Sequence, residues 1–319
     1  MERILVTGGA GFIGSHLSEA LLHQGHEVVC LDNFNDYYDP QIKRFNIEPL
    51  KKNNHYQVVE GNIVNLEFLE NVFRDKKIDI LVHLAARAGV RPSLVDPLLY
   101  QKVNVTGTNN LLEIAKKFDI KKFIFASSSS VYGQNKKVPF SENDFVDHPI
   151  SPYAATKKAG ELLCYTYHHL YKLPMTCLRF FTVYGPRQRP DMAIHKFTRS
   201  IYFDEKISMY GDGTSRRDYT YISDIIHGIC RSIECCEGFH VYNLGESKTI
   251  ELKKLIDLIS DCLGKKAEIE RLPMQPGDVP ITYADITRAR EEIDYSPEIG
   301  VEEGVERFVK WFREIAAII

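Results

Sequence analysis

The sequence predicts an α/β fold, a doubly wound parallel sheet followed by a smaller C-terminal domain. Three observations carry this expectation. Short apolar runs alternate with helical periodicity through the first half of the 319 residues. A glycine-rich turn joins the first run to the first helical stretch. Beyond about residue 180 the alternation gives way to segments punctuated by Gly and Pro. Repeated strand–helix units with right-handed crossovers build such a sheet.

The strands are expected at Ile4–Thr7, Val28–Leu31, Gln57–Val59, Ile80–Leu84, Phe123–Ala126 and Thr176–Phe180. Each is short and almost wholly apolar, as strands buried on both faces of a parallel sheet should be. Helical periodicity falls between them at Phe12–Gln24, Leu66–Arg74, Pro97–Phe118 and Tyr153–Tyr171. We therefore expect a nucleotide-binding Rossmann domain over residues 1–182, with segments near 216–245 returning to it, and a mainly substrate-binding domain over 183–319. Gly185-Pro-Arg-Gln-Arg-Pro190 and Pro273-Met-Gln-Pro-Gly-Asp278 read as loops closing over the cofactor face.

Composition narrows the partners. Hydrophobic content of 44% and charged content of 26% are ordinary for a globular protein. A net charge of −3 with scattered Lys and Arg gives no basis for nucleic acid or an anionic membrane as partner. No apolar run approaches the roughly 18 residues that span a bilayer. The seven cysteines include no C-x-x-C and are odd in number, so we expect free thiols in a reducing, cytoplasmic compartment and no metal site. The chain opens directly on a predicted strand, so no signal peptide is expected.

Gly8, Gly11 and Gly14 follow a strand and open a helix, with Phe12 and Ile13 between the last two. In that context a glycine run is a pyrophosphate cradle. The first glycine permits a tight turn, the second lets backbone approach the ligand, and the third allows close packing of helix on sheet. Asp32 ends the second strand 18 residues past Gly14, with Asn33 beside it. An acid there accepts hydrogen bonds from a ribose 2′-hydroxyl and repels a 2′-phosphate, so NAD is expected over NADP. Asn62 and Ile63 after the third strand, and His83, Leu84, Ala85 and Ala86 after the fourth, occupy the carboxyl ends of strands, where the ligand crevice opens.

Tyr153 and Lys157 are four residues apart on a predicted helix and share one face. A lysine ammonium beside a phenol favours the phenolate, and so does the positive charge of an oxidised nicotinamide. The pair reads as a base able to take a hydroxyl proton while hydride leaves the same carbon.

These motifs, with Asn104-Val-Thr-Gly-Thr108 and Ser127-Ser-Ser-Ser-Val-Tyr-Gly133, resemble the extended short-chain dehydrogenase/reductase family, and more narrowly its nucleotide-sugar 4-epimerases. The resemblance covers essentially the whole chain. It implies a catalytic set of Ser128, Tyr153 and Lys157, with Asn104 and Ser127 among the cofactor contacts. Asn62 replaces the aspartate commonly found against adenine. The resemblance also implies a homodimer paired through Pro97–Phe118 and Tyr153–Tyr171. Dehydratases and decarboxylases of the family carry acidic residues directly after the catalytic Ser or Thr. Here Ser129 and Ser130 stand there, which favours simple epimerisation.

Phe180-Phe-Thr-Val-Tyr-Gly-Pro-Arg-Gln-Arg-Pro-Asp-Met192 and Met274-Gln-Pro-Gly-Asp278 look like the UDP-glucuronate branch. Thr182 and Gln275 replace the Asn and Arg usual in UDP-galactose 4-epimerases, and Arg217 and Asp278 are the nucleotide contacts that carry over. A uronic acid oxidised at C4 is a β-keto acid, prone to lose CO₂ unless its carboxylate is held. Arg189, Ser129, Ser130 and Thr182 have the donors to hold it. The expected activity is thus NAD-dependent UDP-glucuronate 4-epimerisation. A UDP-glucose or UDP-N-acetylglucosamine 4-epimerase, or a catalytically silent NAD-binding scaffold, are the alternatives.

Overall fold

The computed structural model describes residues 1–274 and 277–316, so Gln275 lies outside the described residues. Six strands follow in chain order: β1 (Arg3–Thr7), β2 (Glu27–Asp32), β3 (Tyr56–Glu60), β4 (Ile80–His83), β5 (Lys122–Ser128) and β6 (Met175–Phe180). The Phe239–Leu244 strand completes a seven-stranded sheet ordered Phe239–Leu244, β6, β5, β4, β1, β2, β3. Every pairing is parallel. The chain winds outward from β1 in both directions, and the switch between β1 and β4 opens the crevice that doubly wound sheets use for ligands.

The strand interiors are buried because helices cover both faces. One apolar cluster gathers on the Ile4, Val6 and Leu17 side, the other around Leu5, Leu111 and Phe123. β3 departs from the expected pattern. Gln57 and Val58 are exposed, because β3 is the outer edge of the sheet and its side chains meet water.

Helix α1 (Phe12–His23) begins at the glycine turn, α2 (Pro40–Ile47) follows β2, and α3 (Leu66–Lys76) follows β3. The Pro152–Tyr171 helix starts where Ser151 caps it, its hydroxyl accepting from the Ala154 N–H at 3.1 Å, with Pro152 at the first helical position. A single helix over Pro97–Phe118 is not what forms. Pro97–Tyr100 passes into a wider π turn at Gln101–Thr106 and then into Gly107–Lys117. Asn104 pulls this turn toward the neighbouring loop through its side chain. Gly107 must come so close to Ile63 that a Cβ would stand 2.6 Å from Ile63 Cδ1.

Beyond β6 the described residues form small paired strands and five helices. Thr182–Tyr184 pairs with Tyr219–Tyr221, and Arg216–Arg217 pairs with Ile250–Glu251. Leu252–Leu263 packs on Ala193–Tyr202 and Val301–Ile315. Asp218 sits at the centre of this region, fully buried. Its carboxylate accepts from the backbone N–H of Glu246 (2.8 Å), Ser247 (3.1 Å) and Ala284 (3.1 Å). Among the described residues, no helix is long and apolar enough to cross a membrane.

Candidate active site

A cleft of about 450 Å³ runs along the carboxyl ends of the strands and gathers most of the expected site residues. Its floor is the glycine turn, with Gly8, Gly11, Phe12, Ile13 and Gly14 all on the wall. Gly8 has φ +68°, and a Cβ there would stand 2.9 Å from the Ala85 nitrogen. A Cβ on Gly14 would strike the Gly8 carbonyl, so neither position accepts a side chain. Gly11 caps α1 without a side chain, which leaves the first-turn N–H groups free for an anion. This cradle fits a dinucleotide pyrophosphate.

Asp32 ends β2 with its carboxylate buried, accepting from Ala10 N (3.2 Å) and Phe34 N (2.9 Å). Burial raises its pKa, opposed mainly by the Lys43 ammonium. Asn33, Asn62 and Ile63 line the same end of the cleft, and Leu84, Ala85 and Ala86 form its side.

His83 is not a cleft residue. It is buried, bridging the Thr7 hydroxyl at 2.8 Å and the Thr108 hydroxyl at 2.9 Å, and burial pushes its pKa down to about 3. The neutral ring ties β1 and β4 to the helix beyond. Asn104 also stays out of the cleft. Its amide is spent: Oδ1 accepts from Arg87 N (2.8 Å), while Nδ2 donates to Arg87 O and the Thr156 hydroxyl (both 3.0 Å). It fastens the loop after β4 to the Pro152–Tyr171 helix.

Ser128, Ser129, Ser130, Tyr153 and Lys157 meet on one wall, with Thr182 and Arg189 lining the same cleft. Ser128 ends β5, and its hydroxyl accepts from Ser130 N at 3.2 Å. Ser127 faces the helix behind, donating to Glu161 Oε1 at 2.6 Å. Arg179 on β6 grips both oxygens of Glu161 at 2.8 and 2.9 Å, and all of these groups are buried. Glu161 lies one turn past Lys157 on the same helical face, so this ion pair locks the helix against β5 and β6.

The electrostatics differ from the expected lysine-driven phenolate. Burial raises the Tyr153 pKa, and the groups that pull it back are the Ser128 hydroxyl and the Arg189 charge. Lys157 instead donates to the Ala126 carbonyl at 2.6 Å, and burial lowers its own pKa to about 8. A shared helical face placed the two residues in register, but the carbonyl at the end of β5 captures the ammonium.

Arg189 is not a free fork. Asp191 takes its Nε (2.9 Å) and Nη2 (2.8 Å), leaving Nη1 for other partners. Arg217 and Asp278 do not line this cleft. Asp278 pairs with Arg91 at 2.7 Å, and Arg217 donates to the Arg216 carbonyl at 2.9 Å. Val90, which lines the cleft, stands beside Gly277, the residue before Asp278. Sequence reasoning missed Tyr37, Lys43, Arg87 and Arg91. Arg87 was within reach, standing directly after Ala86. Tyr37 lies in the loop between β2 and α2, Lys43 lies on α2, and Arg91 pairs with a residue far along the chain, so nothing local marked them.

The chain matches the family model described as GDP-mannose 4,6 dehydratase over residues 5–308. The chain belongs to that family. Within it, the chain is 46% identical to a UDP-glucuronate 4-epimerase of Thermodesulfobacterium geofontis, over 100% of this chain and 98% of the relative. A UDP-glucuronic acid 4-epimerase from Bacillus cereus, solved with UDP-glucuronic acid and NAD, superposes with a TM-score of 0.93 at 38% identity, covering 98% of this chain and 99% of that one. A UDP-glucose 4-epimerase from Thermotoga maritima, solved with UDP-glucose, gives 0.91 at 34% identity, again covering 98% and 99%.

Proposed function

We propose that this protein is an NAD-dependent UDP-sugar 4-epimerase that interconverts UDP-glucuronate and UDP-galacturonate. One observation carries the reading. Ser128, Tyr153 and Lys157 share a cleft with the hydroxyls of Ser129 and Ser130, and no carboxylate stands directly after Ser128, where Ser129, Ser130 and Val131 follow. Resemblance to epimerases described with UDP-glucuronic acid and NAD supports it.

The cradle of Gly8, Gly11 and Gly14 would hold NAD, and the bound cofactor would supply hydride transfer to and from the sugar C4. Tyr153 takes the C4 hydroxyl proton, and Ser128 bonds the same oxygen and relays that proton to the phenol. Lys157, its ammonium anchored on the Ala126 carbonyl, would hold the nicotinamide ribose. Ser129 and Ser130 offer hydroxyls but no base at neutral pH, so the removal of a C5 proton that expels a C6 hydroxyl from a neutral hexose is not catalysed here. Ser129, Ser130 and Thr182, with Nη1 of Arg189, hold the sugar carboxylate out of line with the C4 keto group, which suppresses loss of CO₂. Arg217 and Asp278, with Arg91, take the nucleotide end.

The sheet-bearing part of the chain through residue 182, joined by the Phe239–Leu244 strand, forms the cofactor half, and the remainder forms mainly the substrate half. Two copies pair through the Pro97–Lys117 run and the Pro152–Tyr171 helix, where Leu98, Leu162, Tyr165 and Leu170 are exposed; light scattering tests this. We place the protein in the cytoplasm, in keeping with seven free cysteines. The decisive assay incubates the protein with a panel of UDP-sugars and identifies products by NMR. UDP-galacturonate is expected from UDP-glucuronate. Turnover of UDP-glucose alone would assign the neutral-sugar reaction, and turnover of none would assign a scaffold.

A further inference from the structure

We propose that Tyr37 is a cofactor-retaining residue, the pin of a strap that keeps the dinucleotide in the cleft between turnovers. The proposal rests on the NAD reading above. The strap is the run Asp32-Asn-Phe-Asn-Asp-Tyr-Tyr-Asp39 between β2 and α2. Its path is written locally. Asp32 accepts from Phe34 N at 2.9 Å, Asn33 from Asn35 N at 3.2 Å, Asn35 from Tyr37 N at 3.1 Å, and Asp39 from Gln41 N at 2.9 Å. Each short polar side chain holds the backbone two residues onward, so successive turns overlap and the strap has one shape.

The far end is tied down at two points. Lys43, buried on α2, donates to Asn35 O at 3.0 Å, and Asn46 donates to Ala10 O in the glycine turn at 3.3 Å.

Tyr37 lines the cleft and ties the strap to the loop after β4. Its hydroxyl donates to Ala88 O at 2.8 Å, in the loop after β4, where Tyr100 donates to the same carbonyl at 2.6 Å. Its ring lies 5.7 Å from the Arg87 guanidinium and 5.3 Å from that of Arg189. Arg189 belongs to the loop after Thr182–Tyr184 and is itself held by Asp191. One half-buried, cleft-lining side chain therefore joins three separate chain segments, by a hydrogen bond and two cation–π contacts.

The chemistry gives this a purpose. Hydride removed from C4 must return to C4, so reduced cofactor that escaped would strand an oxidised sugar and leave the enzyme unable to finish the cycle. Exchange of cofactor brings no benefit, and a closed strap prevents it.

The test measures cofactor retention rather than turnover. Wild type, Tyr37→Ala and Tyr37→Phe are loaded with NAD and desalted. Bound NAD per protomer and the dissociation rate against excess labelled NAD are then measured, with melting temperatures as a control on folding. Wild type should keep its NAD through desalting. Tyr37→Ala should dissociate at least about tenfold faster, since a hydrogen bond and two cation–π contacts are lost together. Tyr37→Phe keeps the ring between the guanidinium groups and should fall between them. Equal dissociation rates for wild type and Tyr37→Ala overturn the strap and leave the NAD reading standing. If Tyr37→Ala folds poorly, a Tyr37→Phe rate equal to wild type overturns it instead. Wild-type protein that takes up no NAD at all overturns the cofactor reading itself.

Discussion

Lys157 gives its buried ammonium to the Ala126 carbonyl, 2.6 Å away at the end of β5. The residue that the helical spacing pairs with Tyr153 is thus anchored to the sheet, and burial lowers its pKa to about 8. An unfolded lysine holds its proton to about 10.4. Between those two values the unfolded chain binds more protons than the folded one, so stability rises with pH across that window. Below it the cost of the buried charge is present in full. Lys157→Met removes the charge. Its melting temperature relative to wild type should be most favourable near about pH 7 and lose ground toward about pH 10, with activity low throughout. Melting curves of cofactor-free protein across that range check this; a difference that does not move with pH refutes it.

Tyr153→Phe should leave the fold and NAD binding nearly intact and lower turnover by at least about 10²–10⁴-fold, the usual contribution of a positioned acid–base group. The ring packs as before against Tyr100, whose centroid lies 6.2 Å away, and only the hydroxyl is lost. A variant that keeps more than about a tenth of the wild-type kcat would mean that another group is the base.

Asp32 decides cofactor choice. Asp32→Ala should narrow the preference for NAD over NADP, because the repulsion of a 2′-phosphate goes and the Lys43 ammonium remains beside the site. The variant should also melt lower than wild type, since Ala10 N and Phe34 N lose their acceptor. Titration of both cofactors measures the first effect. Equal wild-type affinity for the two would show that Asp32 does not face the ribose.

Arg189→Ala should raise KM for UDP-glucuronate, at a cost of about 2–5 kcal/mol if the carboxylate pair is desolvated, with little effect on any residual turnover of UDP-glucose. UDP-4-keto-pentose should appear as a by-product. The Asp191 pairing adds a second expectation: Asp191→Asn loosens the guanidinium without removing it, and its KM effect should be smaller. Kinetics on both sugars with product analysis decides this. An equal loss on both sugars would reassign Arg189 to the nucleotide or to the fold.

Much of the cofactor half is legible in the sequence because its signals are local. Gly8, Gly11 and Gly14 announce a turn that admits no side chain, Asp32 ends an apolar run, and Ser128 sits three residues from the Val131-Tyr-Gly133 turn. The Tyr153–Lys157 register follows from helix geometry alone, and so does the position of Glu161 one turn on. Period and residue chemistry suffice for such features, since neighbours in the chain are neighbours in space.

Only the tertiary structure decided which of these polar groups are free to act. Asn104 and His83 read as cleft residues, yet contacts with Arg87, Thr156, Thr7 and Thr108 use up their hydrogen bonds. Arg189 reads as an open fork, yet Asp191 fills most of it. Arg91 meets Asp278 across 187 positions of sequence, and Tyr37 reaches Arg189 from another loop. A sequence shows that a residue can donate or accept a hydrogen bond. Which partner takes that bond is settled by burial, because a polar group removed from water pairs with whatever the fold brings nearest.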